Sequence, residues 1–488
     1  MASIKRNILI FGFLSLFAFL SQMVFAFTTS FLYDMVMNFD QGIFEIIGRD
    51  WAEGHLPYIE TWDSKGPIIF FFNMLGYLMG GRTAIFWIEV VNLSLCLIVI
   101  YLFAVKHLSS VFSLVATVFV LFAYITVCSG GNQVSDYSLL PAIGSMVVFY
   151  QWTHRLQTRR QIFHPWQYAL IYGIFFAASL LSRLTNAAAL CLMILIVFVY
   201  LVRHHLWHNL LENTIGFVVG FALLFVPFAL YFGLHGAFAE MWYAMLEYNV
   251  EYALVSNPEK VVQSSSNLVY SLLYFSSVIV LLFVNILNLL FNPRRRKLNM
   301  LWALVAIAVL LWLYKSYANA NYGIIFSPFV VVAALEMRQI TEVKPKFRLV
   351  GVVLFGFILL GFVNHVRVFR SYTHEVPTYR QIMKGLENKV GASFVAYNCE
   401  PDIYLSLGIK PYYRFFVCQD WAIKNGASLL QKVRETYAKG NAEWILVQDF
   451  ETSKVRDILE KRYLPYRRDK ANNLLLLRLN PKRLSNHN

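Results

Sequence analysis

Apolar runs of bilayer-spanning length recur along the chain, broken by short polar segments. The pattern predicts spans at Asn7–Phe27, Thr83–Val105, Val111–Cys128, Tyr137–Trp152, Trp166–Ser182, Leu184–Val202, Thr214–Gly233, Leu268–Phe291, Met300–Tyr314, Ile324–Met337 and Phe347–Val366, about eleven transmembrane helices. The first follows Lys5 and Arg6 and has the outline of a signal peptide, but it is long enough to span and more spans follow, so it reads as a retained anchor. The run Pro67 to Met79, ended by Gly80-Gly81, is too short for an ordinary crossing and reads as an interfacial or re-entrant helix.

Two further patterns complete the layout. In the loop from Thr28 to Gly66, Phe39, Ile43, Ile46, Ile47 and Trp51 recur at helical spacing and predict a helix lying along the bilayer surface. Its other side carries Glu45, Arg49 and Glu53, an i,i+4 ladder of alternating charge. Beyond Val366, short apolar runs at Ser393–Tyr397, Trp444–Gln448 and Leu474–Leu479 alternate with helical patterns at Tyr379–Lys389, Ala427–Tyr437 and Ser453–Arg462, which predicts a small α/β domain. The chain thus divides into a transmembrane part, residues 1–366 with a first outer loop over 28–82, and a soluble part over 367–488.

Composition fits lipid as the solvent. Of the 488 residues, 58% are hydrophobic, 17% aromatic and 14% charged, too few charges for a water-soluble domain. The formal net charge of +14 is no nucleic-acid stripe, because the basic residues sit in clusters between apolar runs. With the N-terminus cytoplasmic, Lys106-His107, His154 to Arg160, Arg203 to His208, Arg294 to Lys297 and Lys344 to Arg348 all fall in cytoplasmic loops, as the positive-inside rule requires. A crossing at Pro67 to Met79 would reverse every one. The same parity puts the C-terminal domain on the extracytoplasmic side.

Of the 5 cysteines, Cys96, Cys128 and Cys191 lie within apolar runs as small hydrophobes. Cys399 and Cys418 lie in the polar C-terminal part, where the compartment permits a disulfide and sequence leaves the pairing open. There is no solenoid repeat, low-complexity tract, Gly-rich phosphate loop or Cys/His zinc spacing. Aromatic residues at Trp242, Tyr243, Tyr248 and Tyr252 fit a membrane-interface belt.

Chemistry is concentrated in the first outer loop, which holds Asp34, Asp40, Glu45, Asp50, Glu53, His55, Glu60, Asp63 and Lys65. The stretch Phe39-Asp40-Gln41-Gly42-Ile43-Phe44, Gly48, Gly54-His55-Leu56-Pro57-Tyr58 and Trp62-Asp63-Ser64-Lys65-Gly66-Pro67 resembles the first loop of the large membrane glycosyltransferases called GT-C. Within them it is similar to the branch of the protein O-mannosyltransferases and the bacterial lipid A aminoarabinose transferase. Weaker similarities run through Gly130-Gly131-Asn132 with Asp136-Tyr137-Ser138-Leu139, Ser182-Arg183-Leu184-Thr185-Asn186 and Tyr248-Asn249. Two departures stand out. Asp40-Gln41 replaces an Asp-Glu pair of the protein-mannosylating members, which narrows the base to a single acid. Lys315-Ser316-Tyr317 and Asn321-Tyr322 occupy a region where many relatives carry His-Tyr.

The resemblance implies an inverting transferase of the bacterial inner membrane that moves a sugar from a polyprenyl-phosphate donor to a lipid, glycan or protein acceptor outside the cytoplasm. It assigns Asp40 as the general base, with a helix cap as the plain alternative. Lys65, at the start of a helix, would neutralise the departing phosphate, against a lysine that snorkels to the headgroups. Arg183 and Lys315 are at outer ends of spans, placed for the same phosphate or as interfacial anchors. Asp63 and Asp136 would position the acceptor or hold a divalent cation, which is left unassigned, and Tyr58 joins the substrate-binding set. Two other classes share the compartment: a lipid-linked sugar flippase or transporter, which should carry midplane charges in two related halves, and a polysaccharide polymerase or ligase.

Overall fold

Each predicted span falls on a helix, because an apolar backbone in lipid has to satisfy its hydrogen bonds within its own segment. The computed structural model describes residues 2–33, 39–158, 162–255, 272–315, 320–372, 379–386, 390–391, 393–416, 420–423 and 427–480. Its helices are α1 (Ala2–Phe25), α2 (Phe39–Ala52), α3 (Pro67–Met79), α4 (Arg82–Ala104), α5 (Ser110–Val127), α6 (Asp136–Thr158), α7 (Trp166–Leu180), α8 (Ala188–Arg203), α9 (Trp207–Leu234), α10 (Phe238–Trp242), α11 (Tyr248–Val255), α12 (Ser276–Phe291), α13 (Arg296–Lys315), α14 (Phe329–Val343) and α15 (Phe347–Tyr372). Among the described residues, 7 are long and apolar enough to cross a membrane, or up to 8 if a bent pair counts as one span. The chain is an α-helical, multi-pass membrane protein.

Four predicted crossings take a different form, the first being Tyr137–Trp152, whose helix α6 has Pro141 in its interior and is not among the 7. The segments Trp166–Leu180 and Ser276–Phe291 are apolar but shorter than a full span. Ile324–Met337 falls on a broken element, a 3-10 segment Ala320–Phe326 and α14, which meet at 54°. The break sits at Ser327-Pro328, where proline lacks an amide donor and disfavours helix in the residue before it.

Two compact units emerge, and they do not follow chain order. The first gathers Met1–Leu32, Phe86–Leu230 and Val262–Tyr372, and the second Tyr33–Ile85, Tyr231–Val261 and Thr373–Asn488. The first unit is a helical bundle around a core that includes Leu97, Phe149, Trp302 and Val331. Its α7 and α9 touch backbone to backbone: a Cβ on Gly173 would lie 2.1 Å from the Phe217 carbonyl, and one on Gly220 2.0 Å from the Leu170 carbonyl. Without a hydrophobic drive between helices in lipid, such small-residue contacts hold them together.

The second unit combines α2, α3, α10 and α11 with the C-terminal domain. Helix α2 buries Ile43, Ile46, Ile47 and Trp51, the predicted apolar face, and Gly48 faces α3 so closely that a Cβ would lie 2.3 Å from the Asn73 Cβ. The C-terminal domain has a four-stranded sheet in the order β1-β2-β4-β3, with β1 (Phe394–Tyr397) parallel to β2 (Trp444–Gln448), and β4 (Leu474–Leu479) antiparallel to both β2 and β3 (Tyr463–Asp469). Strand β3 is an unpredicted element. It is a largely exposed edge strand whose register shifts between Pro465 and Arg467, the one kind of place where a proline fits a sheet.

Candidate active site

The first outer loop holds buried, paired acids and a smaller charged group. Glu45 and Asp50 are buried, and burial holds both carboxyls above the usual carboxylate range. Glu45 accepts from Tyr77 Oη at 2.8 Å and lies 3.9 Å from Arg82, while Asp50 pairs with Arg49 at 3.1 Å. The expected Glu45, Arg49 and Glu53 ladder therefore does not form. Arg49 donates instead to the Ile409 carbonyl at 2.9 Å and Glu53 pairs with Lys410, because partners in the C-terminal domain outcompete weak i,i+4 pairing on an exposed face.

The charged group lies between α2 and α3. Asp40 sits in the first turn of α2, partly exposed. Gly42, one turn edge away, packs so near the Pro401-Asp402 turn that a Cβ would come 2.7 Å from Pro401 Cγ. Asp63 is held by the Lys65 backbone N–H, which donates to its Oδ1 at 2.9 Å, and its carboxylate lies 3.7 Å from Lys65 Nζ. Burial raises the Asp63 carboxyl above its ordinary range; Lys65 opposes that and the nearby Asp40 carboxylate adds to it. Three of the predicted site residues, Asp40, Asp63 and Lys65, thus form one electrostatic group with two acids to one lysine.

Lys65 precedes α3 directly. Its N-cap, Gly66, provides no side-chain hydrogen bond and Pro67 occupies the first turn, so the first amides of this buried helix start have no side-chain cap and the end carries the positive pole of the helix dipole. Tyr58 is buried beside this loop. Its ring is 1% exposed, packed edge-on to Phe70 and Phe232, and its hydroxyl donates to the Lys65 carbonyl at 2.9 Å. Its backbone is left-handed, φ 70°, an uncommon conformation for an aromatic residue and one that marks a loop fixed by its surroundings. Tyr58 braces Lys65 from behind.

In the first unit, Asp136 and Arg183 belong to a second polar cluster. Asp136 is buried, accepting from Tyr124 Oη at 3.0 Å and from the Gln133 N–H at 2.8 Å. Three loops meet there: Ser135 donates to Asn186 at 3.2 Å, Ser138 and Ser182 are 2.9 Å apart, and Asn321 donates to Gln133 at 2.9 Å. Arg183 stacks over the Tyr322 ring at 4.3 Å, with one guanidinium nitrogen, Nη1, buried and unpartnered. Lys315 ends α13, but its side chain lies outside the described residues, as do Asp34, Ser316, Tyr317 and Cys418. Cys399, whose pairing with Cys418 the sequence leaves open, is buried, with its Sγ 3.3 Å from the Tyr397 carbonyl oxygen. Among the described residues no three His, Cys, Asp or Glu side chains converge as metal ligands would.

Sequence reasoning missed Glu89. It lies inside a predicted span, is 1% exposed, and accepts from the Thr29 hydroxyl and the Asn132 N–H. The signal was present, since a lone acid in an apolar run is costly and needs a partner. It also missed Trp62, Glu240 and Arg414, which meet only through the fold.

The bundle with its appended α/β domain is an ordered architecture that can be compared with known proteins. The chain is similar to the crystal structure of ArnT from Cupriavidus metallidurans bound to undecaprenyl phosphate, with a TM-score of 0.58 and 12% identity, over 96% of this chain and 97% of that one. It also matches the Archaeoglobus fulgidus oligosaccharyltransferase, in complex with zinc and sulfate at a TM-score of 0.46 and 13% identity over 93% of this chain and 71% of that one. The same enzyme tethered to an acceptor peptide gives 0.42 and 10% over 97% and 74%. No family model and no curated protein sequence matches the chain. The fold is ArnT-like, which agrees with the fold that the first-loop resemblance implies.

Proposed function

We propose that the chain is an inverting glycosyltransferase that moves a sugar from a polyprenyl-phosphate donor to a lipid, glycan or protein acceptor at the extracytoplasmic face of a bacterial inner membrane. The observation that carries this reading is the grouping of Asp40, Asp63 and Lys65 at the uncapped start of α3. The undecaprenyl phosphate bound by the ArnT structure supports a lipid-phosphate leaving group, and the basic clusters between spans support the orientation.

In this mechanism an acceptor hydroxyl attacks the anomeric carbon and gives its proton to Asp40 as the new C–O bond forms. The bond to the lipid phosphate breaks on the opposite side, which inverts the anomeric centre. Lys65 and the first amides of α3 stabilise the charge that builds on the departing phosphate. Asp63 orients Lys65 and provides the second acid that position 41 lacks, reached across the loop instead of along the helix. In the first unit, Asp136, Arg183 and Lys315 are the candidate substrate-binding residues.

Reconstitution with labelled polyprenyl-phosphate sugars tests the reading. Wild type should release free polyprenyl phosphate, and Asp40→Asn should transfer about 10² to 10⁴ times more slowly while binding donor normally. Equal rates for both proteins would remove Asp40 as the base. Labelled lipid that crossed the vesicle bilayer with its sugar intact would replace the transferase by a flippase.

A further inference from the structure

The loop that carries Asp63 and Lys65 is fixed from outside itself. The Trp62 N–H donates to the Arg414 carbonyl at 3.0 Å. The Trp62 ring lies edge-on to Tyr248, with centroids 5.2 Å apart, and against Phe415 at 5.7 Å. Asn249 Nδ2 donates to the Ser64 carbonyl at 2.8 Å. Tyr248 and Asn249 begin α11, directly after a π-helical turn, Tyr243–Glu247, the kind of irregularity that accompanies functional sites.

Arg414 and α10 are in turn tied together. The Arg414 guanidinium pairs with Glu240, and Lys432 approaches the same carboxylate at 3.8 Å. Burial pushes the Glu240 carboxyl up, but these two cations outweigh it and hold it below its ordinary range. Three segments far apart in sequence thus converge on Trp62, one residue before Asp63. The pair itself is partly exposed, 23% and 31% at the two side chains, so it contributes little to global stability. Its place at the joint is what distinguishes it from an ordinary surface ion pair.

We infer that the Glu240–Arg414 ion pair is a positioning device, which sets Asp63 and Lys65 through Trp62 and makes the C-terminal domain a part of the reacting site's framework. Its activity readout rests on the proposed transfer, but the clamp has a readout of its own. Neither residue touches the reacting atoms. Loss of the pair frees the segment around Arg414 from α10, the Trp62 amide loses its fixed acceptor, and Lys65 moves relative to Asp63. A displacement of about 1 Å at a reacting centre costs up to 10²-fold in rate.

The test uses full-length protein in nanodiscs: wild type, Glu240→Gln, Arg414→Gln, the double variant, and Arg414→Lys as the charge-conserving control. Amide hydrogen exchange over residues 60–66 and steady-state transfer from a polyprenyl-phosphate sugar are both measured. Each single neutral variant should speed exchange over 60–66 and lower kcat roughly tenfold, with donor KM within about twofold. The double variant should lose no more than either single, the mark of two residues acting as one unit, and Arg414→Lys should recover most of the rate. Wild-type exchange in the neutral variants, or losses that add, would overturn the clamp while leaving transfer intact. If wild type transferred no sugar but the neutral variants still loosened 60–66, the transfer reading would fall and the clamp would stand.

Discussion

Two ion pairs in this molecule sit in different surroundings. Arg295 and Glu336, in the first unit, lie 2.8 Å apart with side chains 13% and 0% exposed, and the Tyr150 hydroxyl donates to the same Glu336 oxygen at 2.8 Å. Lys65 and Asp63, in the second unit, are 3.7 Å apart, 19% and 12% exposed, with a second acid, Asp40, close by. The first pair balances one charge against one in a dry interior. The second sets one lysine among two acids, just before the start of a helix. The first is a closed pair inside the helical bundle, whereas the second is a three-residue group beside a helix N-terminus.

That contrast can be broken by mutation, and the largest effect is expected at Lys65. Lys65→Met should lower kcat about 10² to 10³-fold without a change in thermal unfolding, as measured on reconstituted protein. Arg295→Met should do the reverse: leaving Glu336 buried without its cation costs about 3–5 kcal/mol, seen as a lowered Tm, with transfer per folded molecule unchanged. Equal losses of stability from both variants would erase the distinction.

Smaller effects sharpen it. Because burial raises the Asp63 carboxyl, its ionisation in the folded protein lags behind that of an ordinary aspartate. The acid limb of kcat/KM should therefore include a step above the usual carboxylate range, and Asp63→Asn should remove that step, leaving the limb of Asp40, at a cost of about tenfold in rate. The sign for stability is opposite. A raised folded value means that stability is lost as pH rises through it, so Asp63→Asn should be slightly more stable than wild type at neutral pH. Tyr58→Phe, which removes only the bond to the Lys65 carbonyl, should cost about 1 kcal/mol of stability and a few-fold in kcat.

Much of this was legible in the sequence where the signal is local. The apolar face of α2 and the bounds of α3 follow from helical spacing and from Gly66-Pro67 and Gly80-Gly81 at its ends. Strands β1, β2 and β4 announce themselves as buried apolar runs. Strand β3 does not, because Tyr463–Asp469 is polar, carries Pro465 and takes its conformation from its neighbour β4. The candidate site was legible in part for the same reason. Asp40, Asp63 and Lys65 share one loop, so a first-loop motif can find them. Glu240 and Arg414 cannot be found that way, since their relation to Trp62 exists only after distant segments pack.

The most direct measurement is an electron cryo-microscopy map of the protein in nanodiscs with undecaprenyl phosphate. The account predicts phosphate density within hydrogen-bond distance of Lys65 Nζ and the first amides of α3, lost in Lys65→Met. Well-resolved phosphate held elsewhere, with Lys65 still paired to Asp63, would contradict it.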